Sequence, residues 1–402
     1  MYINNYAKII IGIGISVKKG DLVKINFHPE HLPLVREIVK EAYKNGAKFV
    51  SLDMRDPEME NNRSEFLAEE FVNEYPKCIV ENEYNYAVSG FSTITIQAPH
   101  FSAKNEIETS KTSAINKAKS LAMYPVRKFG MANHNKWVVV NAPTTNWATN
   151  VFPDLPPEKA VELLWTYIYR ATKSNESDPL LAWKKQDETL KKIAKKLNDY
   201  QFSALHFISE ETDVTIPLVK NHIWLGGSET TQAGERFMSN IPVEEVWTMP
   251  NKYGVNGYIS ITKPIVLEGE MIDKVKLFFQ NGKVVKIEPH HPFLQNYLLR
   301  DEGASMLGEV ALVSVHSSIE KTGIVFKSTL LDENASSHIA LGQAYSDNLF
   351  QGNSMADEKL NQLGMNFSSI HQDLMIGSST MNVYGVFNQE KIQIMENGLW
   401  KI

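Results

Sequence analysis

Cysteine is nearly absent from this chain. Cys78 stands alone among 402 residues, which excludes an internal disulfide framework and any zinc site built on thiolates. A lone thiol fits a reducing compartment and is expected to be buried and inert. Long apolar runs are missing too: none approaches the ~20 residues that a membrane-spanning helix needs. Residues 9–15 are apolar but have no basic leader and no small-residue cleavage site, and Lys18-Lys19-Gly20 follows them, so they read as a helix end and not a secretory signal. Nor is there an excess of basic charge. A formal net charge of −6 and a pI near 6.0 argue against a nucleic-acid binder. No Gly-x-Ser-x-Gly element supports serine hydrolase chemistry, and Gly12 and Gly14 lack the third glycine and the strand–turn–helix context of a dinucleotide fingerprint. These absences lead us to expect a cytoplasmic, soluble protein with neither membrane nor nucleic acid among its partners.

What is present reads as two domains. In the first half, strand-like segments at 22–27, 49–53, 92–96 and 137–141 alternate with helical spacing at 32–45 and 111–121, which predicts an α/β fold with a mainly parallel sheet. Residues 6–15 read as helix, and so does most of 151–200, where Pro156-Pro157 supplies a start. Lys184 to Lys196 reads as a solvated amphipathic helix. Behind residue 205 the pattern turns to β: period-two alternation at 212–218, a hairpin with an Asn281-Gly282 turn, and strands at 381–387 and 391–395. The expected organisation is an N-terminal α/β domain over 1–205 and a C-terminal β-rich α+β catalytic domain over 206–402.

The second region carries the chemistry. Metal-ligand residues fall in four short clusters, Asn240 to Thr248, Gly308 to Val313, Glu333 to His338 and His371 to Asp373, each among strand-like apolar residues. Isolated acids and imidazoles beside Val, Ile and Leu are costly to bury unless something pairs with them. A shared divalent metal centre would remove that cost for all of them together. Glu244 and Glu245 adjoin, so in a strand they face opposite ways and only one can point at a given metal. Glu309 opens a buried strand, while Glu333 and His338 bracket small polar residues suited to a tight loop. His371 and Asp373, at i and i+2, share a face if extended. Any one of these alone would be an ordinary salt-bridge or hydrogen-bonded residue; the joint pattern is not. Several carboxylates with only two imidazoles suit two adjacent divalent ions, one carboxylate bridging them, better than a closed structural zinc site. Zinc, cobalt and manganese all accept such donors. The chemistry expected is hydrolysis, with the phenol of Tyr345 available to a developing oxyanion. His28, His31, His100, His290 and His291 lie beside prolines or turns without that context, His290-His291 in a loop expected to face solvent.

The motifs Asn240-Ile241-Pro242-x-x-Glu245-Val246, Gly308-Glu309-x-Ala311-Leu312-Val313, Glu333-Asn334-Ala335-x-x-His338 continuing to Tyr345, and Ser369-Ile370-His371-x-Asp373 resemble, in this order, those of the M29 thermophilic-type metallo-aminopeptidases. Thr212 to Ile216 and Trp183-Lys184 extend the resemblance along nearly the whole chain. It implies an exopeptidase that removes one residue from the free amino end of a peptide through a two-metal centre. The resemblance assigns Glu245, Glu309, Glu333, His338, His371 and Asp373 as ligands, Glu309 touching both ions, with Tyr345 at the active site; the general base stays open between Glu309, which would then be catalytic as well as a ligand, and a metal-bound hydroxide that needs no separate base. It further implies a homodimer, a C-terminal domain around a barrel-like core, and cobalt, zinc or magnesium as the metal. Two ambiguities stay open: Glu244 against Glu245, and Asp332 against Glu333. So do two other functions, a dinuclear hydrolase of a non-peptide amide or ester and a peptide-binding scaffold without catalysis.

Overall fold

β-Branched runs followed by amphipathic helices build the first region. The computed structural model describes residues 2–101, 106–267, 270–387 and 390–402. It separates into two compact units, one of Met1–Trp183 with Ser228–Ile241 and one of Lys184–Gly227 with Pro242–Ile402. In the first unit β1 (Leu22–Phe27), β2 (Phe49–Met54), β3 (Phe91–Gln97) and β4 (Trp137–Asn141) form a parallel sheet. Its order is the short strand Asn240–Ile241, then β4, β3, β1 and β2. The helix Leu32–Lys44 connects β1 to β2 and buries Leu34, Val35, Ile38 and Ala42, the positions its 3.6-residue period selects. It stops at Gly46, whose φ of 93° an L side chain would resist. The helical reading of residues 6–15 resolves into an α-helix over Tyr2–Ile9 and a π-turn over Ile10–Gly14.

The division differs from a single cut after residue 205. The boundary falls within the helix Pro179–Tyr200, and residues 228–241 return to the first unit, where Asn240–Ile241 is the fifth strand of its parallel sheet. A two-residue strand has no periodicity to read, and its parallel partner lies a hundred residues earlier in the chain. Cys78 also departs from expectation: it is exposed. It lies in the helix Lys77–Val88, which has no buried residue at all, so the thiol follows its helix and not its own hydrophobicity.

The second unit is β-rich, as expected. Its larger sheet runs, in spatial order, through Lys283–Glu288, Lys276–Gln280, Asn256–Ser260, Asp213–Pro217, Ala204–Ile208, Asn382–Phe387, Glu390–Glu396 and Leu399–Trp400, with antiparallel neighbours throughout. Its first hairpin turns at Asn281 and Gly282 with φ of 50° and 91°, the left-handed pair that a two-residue hairpin requires. The smaller sheet holds β5 (Glu245–Thr248), β6 (Leu307–Val313), β7 (His338–Gly342) and β8 (His371–Met375), in the order β8-β7-β6-β5 with Leu225–Gly226 outside β5. Both orders are linear; among the described residues no pairing closes either sheet into a barrel. No helix among them is long and apolar enough to cross a membrane.

Candidate metal centre

Register places the site. In antiparallel pairing, directly opposed residues share a face and alternate residues keep to it. Glu245 opposes Val313, Ala311 opposes His338, Glu309 opposes Ala340, Ala340 opposes Asp373, and Gly342 opposes His371. Glu245, Glu309, His338, His371 and Asp373 therefore project from one face of one sheet, although almost 130 residues separate the first from the last. The other face carries Val246, Val310, Leu312, Ile339, Leu341 and Leu374, all buried. The positions between the polar groups on the ligand face are small: Ala311, Ala340 and Gly342. Gly342 has a φ of 101°, and a Cβ there would lie 2.2 Å from the Ile370 carbonyl oxygen, so the strand turns where no side chain fits.

The side-chain distances are those of donors around common centres. His338 Nε2 lies 3.1 Å from Glu245 Oε2 and 3.6 Å from Glu309 Oε1; His371 Nε2 lies 3.4 Å from Asp373 Oδ1 and 4.0 Å from Glu309 Oε2. Metal–ligand bonds of about 2.1 Å put neighbouring donors roughly 3.0–3.5 Å apart, a spacing that the His338–Glu245 and His371–Asp373 pairs meet and that Glu309 exceeds slightly on both sides. Two triads result, Glu245–Glu309–His338 and Glu309–His371–Asp373, with donor atoms within 4.8 Å of one another in each. Glu309 belongs to both, one oxygen facing each histidine. Glu245 Oε2 is buried without a hydrogen-bond partner despite its closeness to His338. That is the geometry of two donors converging on a third body. Both rings are held by their far nitrogen, His338 Nδ1 on the Ser336 carbonyl at 3.1 Å and His371 Nδ1 on the Gln343 carbonyl at 2.7 Å. This backbone support fixes a tautomer with Nε2 free as a ligand.

Electrostatics tell the same story. Burial pushes the Glu245 carboxyl above its usual range, with His338 opposing and Glu309 and Asp373 reinforcing. Glu333 is pushed well above by burial and then by Asp373 and Glu245. Burial would lower His338, yet Glu245 and Glu309 carry it well above the ordinary imidazole value. His371, against the same penalty, is raised to about 9 by Asp373 and Glu309. Asp373 is held low by His371 despite its burial. Four acids and two imidazoles thus compete for protons in one place, and no lysine or arginine among the described residues pairs with any of the four acids. Two divalent cations would neutralise four carboxylates. The donor set fits them.

Glu333 is buried and electrostatically joined to the cluster, but it is outside both close triads. The phenol of Tyr345 is raised well above its ordinary value by burial and then by Glu309 and Asp373; its ring centroid is 5.0 Å from that of His371. Glu244 and Asp332, the alternatives to Glu245 and Glu333, have partners outside the cluster. Glu244 turns away from Glu245: its carboxylate accepts from Ser318 N–H and Oγ and from Gln186 Nε2. Asp332 accepts from the backbone N–H groups of Phe326 and Ser328. His290 is exposed, whereas His291 is half-buried and accepts from Leu294 N–H to start a short helix. Sequence reasoning missed the supporting carbonyls of Ser336 and Gln343 and the small residues Ala311 and Ala340. Backbone carbonyls leave no trace in residue identity; the two alanines, at alternate positions on the ligand-bearing strands, were a usable signal.

The family model described as thermophilic metalloprotease (M29) matches residues 1–400. The chain is similar to aminopeptidase AmpS of Bacillus subtilis, 37% identical over 401 residues that cover 99% of this chain and 98% of that protein. It is also similar to aminopeptidase T of Thermus thermophilus, 33% identical with 98% and 97% covered. The solved structure of wild-type AmpT from Thermus thermophilus superposes with a TM-score of 0.93 at 33% identity, covering 100% of this chain and 99% of that one.

Proposed function

The chain belongs to the thermophilic metalloprotease family M29, and from that premise we propose that it works as a metal-dependent aminopeptidase with a dinuclear centre. One observation carries the two-ion reading: two donor triads sharing Glu309 on one sheet face, in an acid cluster that no lysine or arginine among the described residues neutralises. Glu245 and His338 would hold one ion and His371 and Asp373 the other, with Glu309 common to both donor sets. Glu333, outside both triads but electrostatically joined to Asp373 and Glu245, would be a further carboxylate available to the pair. Zinc, cobalt, manganese or magnesium are the candidates. When bound, such a pair lowers the pKa of a water and polarises a carbonyl.

The chain's own groups do the rest. Tyr345 keeps its proton at neutral pH, because burial and the neighbouring carboxylates oppose ionisation, so its hydroxyl donates to an oxyanion developing beside His371. An aminopeptidase must also hold a protonated amine. Glu244 and Asp332 are committed to Ser318, Gln186 and backbone N–H groups, so the amine falls to the acids of the cluster, of which Glu333 stands outside both triads. The substrates are peptides with a free amino end.

The reading is tested on full-length protein stripped by a chelator and assayed with leucine p-nitroanilide and its N-acetylated form, with and without added cobalt or zinc. Hydrolysis of the free amide alone, restored by two ions per chain, is expected. Turnover that persists after complete metal removal, or equal cleavage of the acetylated amide, would sink it.

A further inference from the structure

The residues enclosed by Glu333 and His338 do more than close a tight loop. Asn334, Ser336 and Ser337 are all buried, and each reaches a different ligand-bearing strand or its immediate continuation. Asn334 Oδ1 accepts from Glu244 N–H at 2.6 Å, the peptide next to Glu245 at the head of β5; its Nδ2 donates to the Leu330 carbonyl at 2.9 Å and lies 3.4 Å from Glu333 Oε1. Ser337 Oγ accepts from Val313 N–H at 3.0 Å and donates to the Val313 carbonyl at 3.1 Å, at the end of β6, which carries Glu309. Ser336 Oγ donates to the Gly377 carbonyl at 3.0 Å, two residues beyond the strand of His371 and Asp373. Gly377 must be glycine for that approach, since a Cβ would stand 2.7 Å from Ser336 Oγ.

We propose that Asn334, Ser336 and Ser337 are positioning residues: this one segment is the template on which the other three ligand-bearing strands are aligned, so that Asn334 sets the geometry of one ion, Ser336 that of the other, and Ser337 the strand of Glu309 common to both. The inference rests on the two-ion reading above. The physical need is clear from the sheet. Glu245 is two strands away from His338, across β6, and ladder bonds alone fix neighbours better than they fix next-nearest strands. Asn334 bypasses β6 and ties β5 to the Glu333–His338 segment directly. Ser337 fixes Val313, the residue opposite Glu245, and Ser336 fixes the far end of β8. Loss of an outer partner of this kind typically weakens metal binding about 10–100-fold.

The test titrates cobalt(II) alone into the metal-free full chain, following heat and visible absorption, for the wild type and the variants Asn334→Ala and Ser336→Ala. Each is repeated in a His371→Ala background, which keeps only the Glu245–Glu309–His338 triad. Asn334→Ala is expected to weaken cobalt in that background about 10–100-fold, and Ser336→Ala to leave it within about threefold while weakening the second ion of the otherwise wild-type chain. Ser336→Thr, which keeps the hydroxyl, should restore the second ion, and thermal melts of the metal-free variants check that each is folded. Unchanged cobalt affinities overturn the proposal, as does equal weakening of both ions by both variants, the mark of a merely looser fold. A wild type that binds fewer than two ions overturns the two-ion reading itself, and the control titration shows this before any variant is made.

Discussion

The buried lysines of the first unit and the buried acid cluster of the second are balanced in different ways. In the first, two lysines are almost fully enclosed and each sits between two acids: Lys24 with Glu83 and Asp53, Lys136 with Asp21 and Glu235. Protein groups complete both arrangements. In the second, Glu245, Glu309, Glu333 and Asp373 are gathered with only two imidazoles, and the proton affinities of nearly all of them are distorted as a result. Buried charge that is balanced internally is structural; buried charge left in excess of one sign calls for something from outside. That contrast separates scaffold from site in this chain more sharply than burial or hydrophobicity does.

The contrast can be broken most forcefully at Glu309, the one acid in both triads. Glu309→Ala should cost more than the about 100-fold in activity that loss of an outer partner produces, and should lower the metal count; a variant that retains two ions and near-normal turnover would refute a shared carboxylate. Next in size is a pH effect confined to the first unit. Burial, then His28, lowers the His31 imidazole to about 3, with the Ala142 carbonyl partly opposing. A histidine whose folded value lies below its unfolded value stabilises above about pH 6.5 and loses that contribution as pH falls towards 3. Up to about 4–5 kcal/mol is at stake by that linkage, and His31→Gln should flatten the acid limb of stability between pH 6.5 and 3 without changing metal content. Melting curves across that window decide it.

Lys24→Met should cost about 1.5–3 kcal/mol, the range for a hydrogen bond to a charged group, because Glu83 and Asp53 keep partial access to water. Denaturant titration measures this, and cobalt binding should be untouched; a loss of metal on that substitution would abolish the distinction between the units. Smallest is Ile339→Val on the apolar face of the ligand sheet, expected to cost about 0.5–1.5 kcal/mol while both ions remain. Equal loss of stability and metal would mean that the two faces of the sheet are not separable.

Much of this was legible in the residues. The strands at 22–27 and 137–141 and the Asn281-Gly282 hairpin are local: period-two alternation and left-handed turn residues act within a few positions. One pairing of candidate donors was legible as well: His371-x-Asp373 declares a shared strand face from spacing alone, and its register with β7 bears that face out. Cys78 was misread because burial belongs to the helix that carries it, and the helix Lys77–Val88 packs no residue out of solvent. The return of Asn240–Ile241 to the first sheet was invisible, since its ladder among the described residues is with Val139 and Val140, a hundred residues earlier.

Residue identity and order alone determined that acids and imidazoles stand in four short clusters, that no internal disulfide forms, and that helices and parallel strands precede a β-rich region. Only the tertiary structure decided that Glu245 and not Glu244 faces His338, that Glu309 offers one oxygen to each histidine, and that Asn334, Ser336 and Ser337 hold the neighbouring strands. The reason is physical. Side-chain alternation is written locally, with a period of two, whereas the register that brings distant strands into line is set by contacts between residues far apart in the chain.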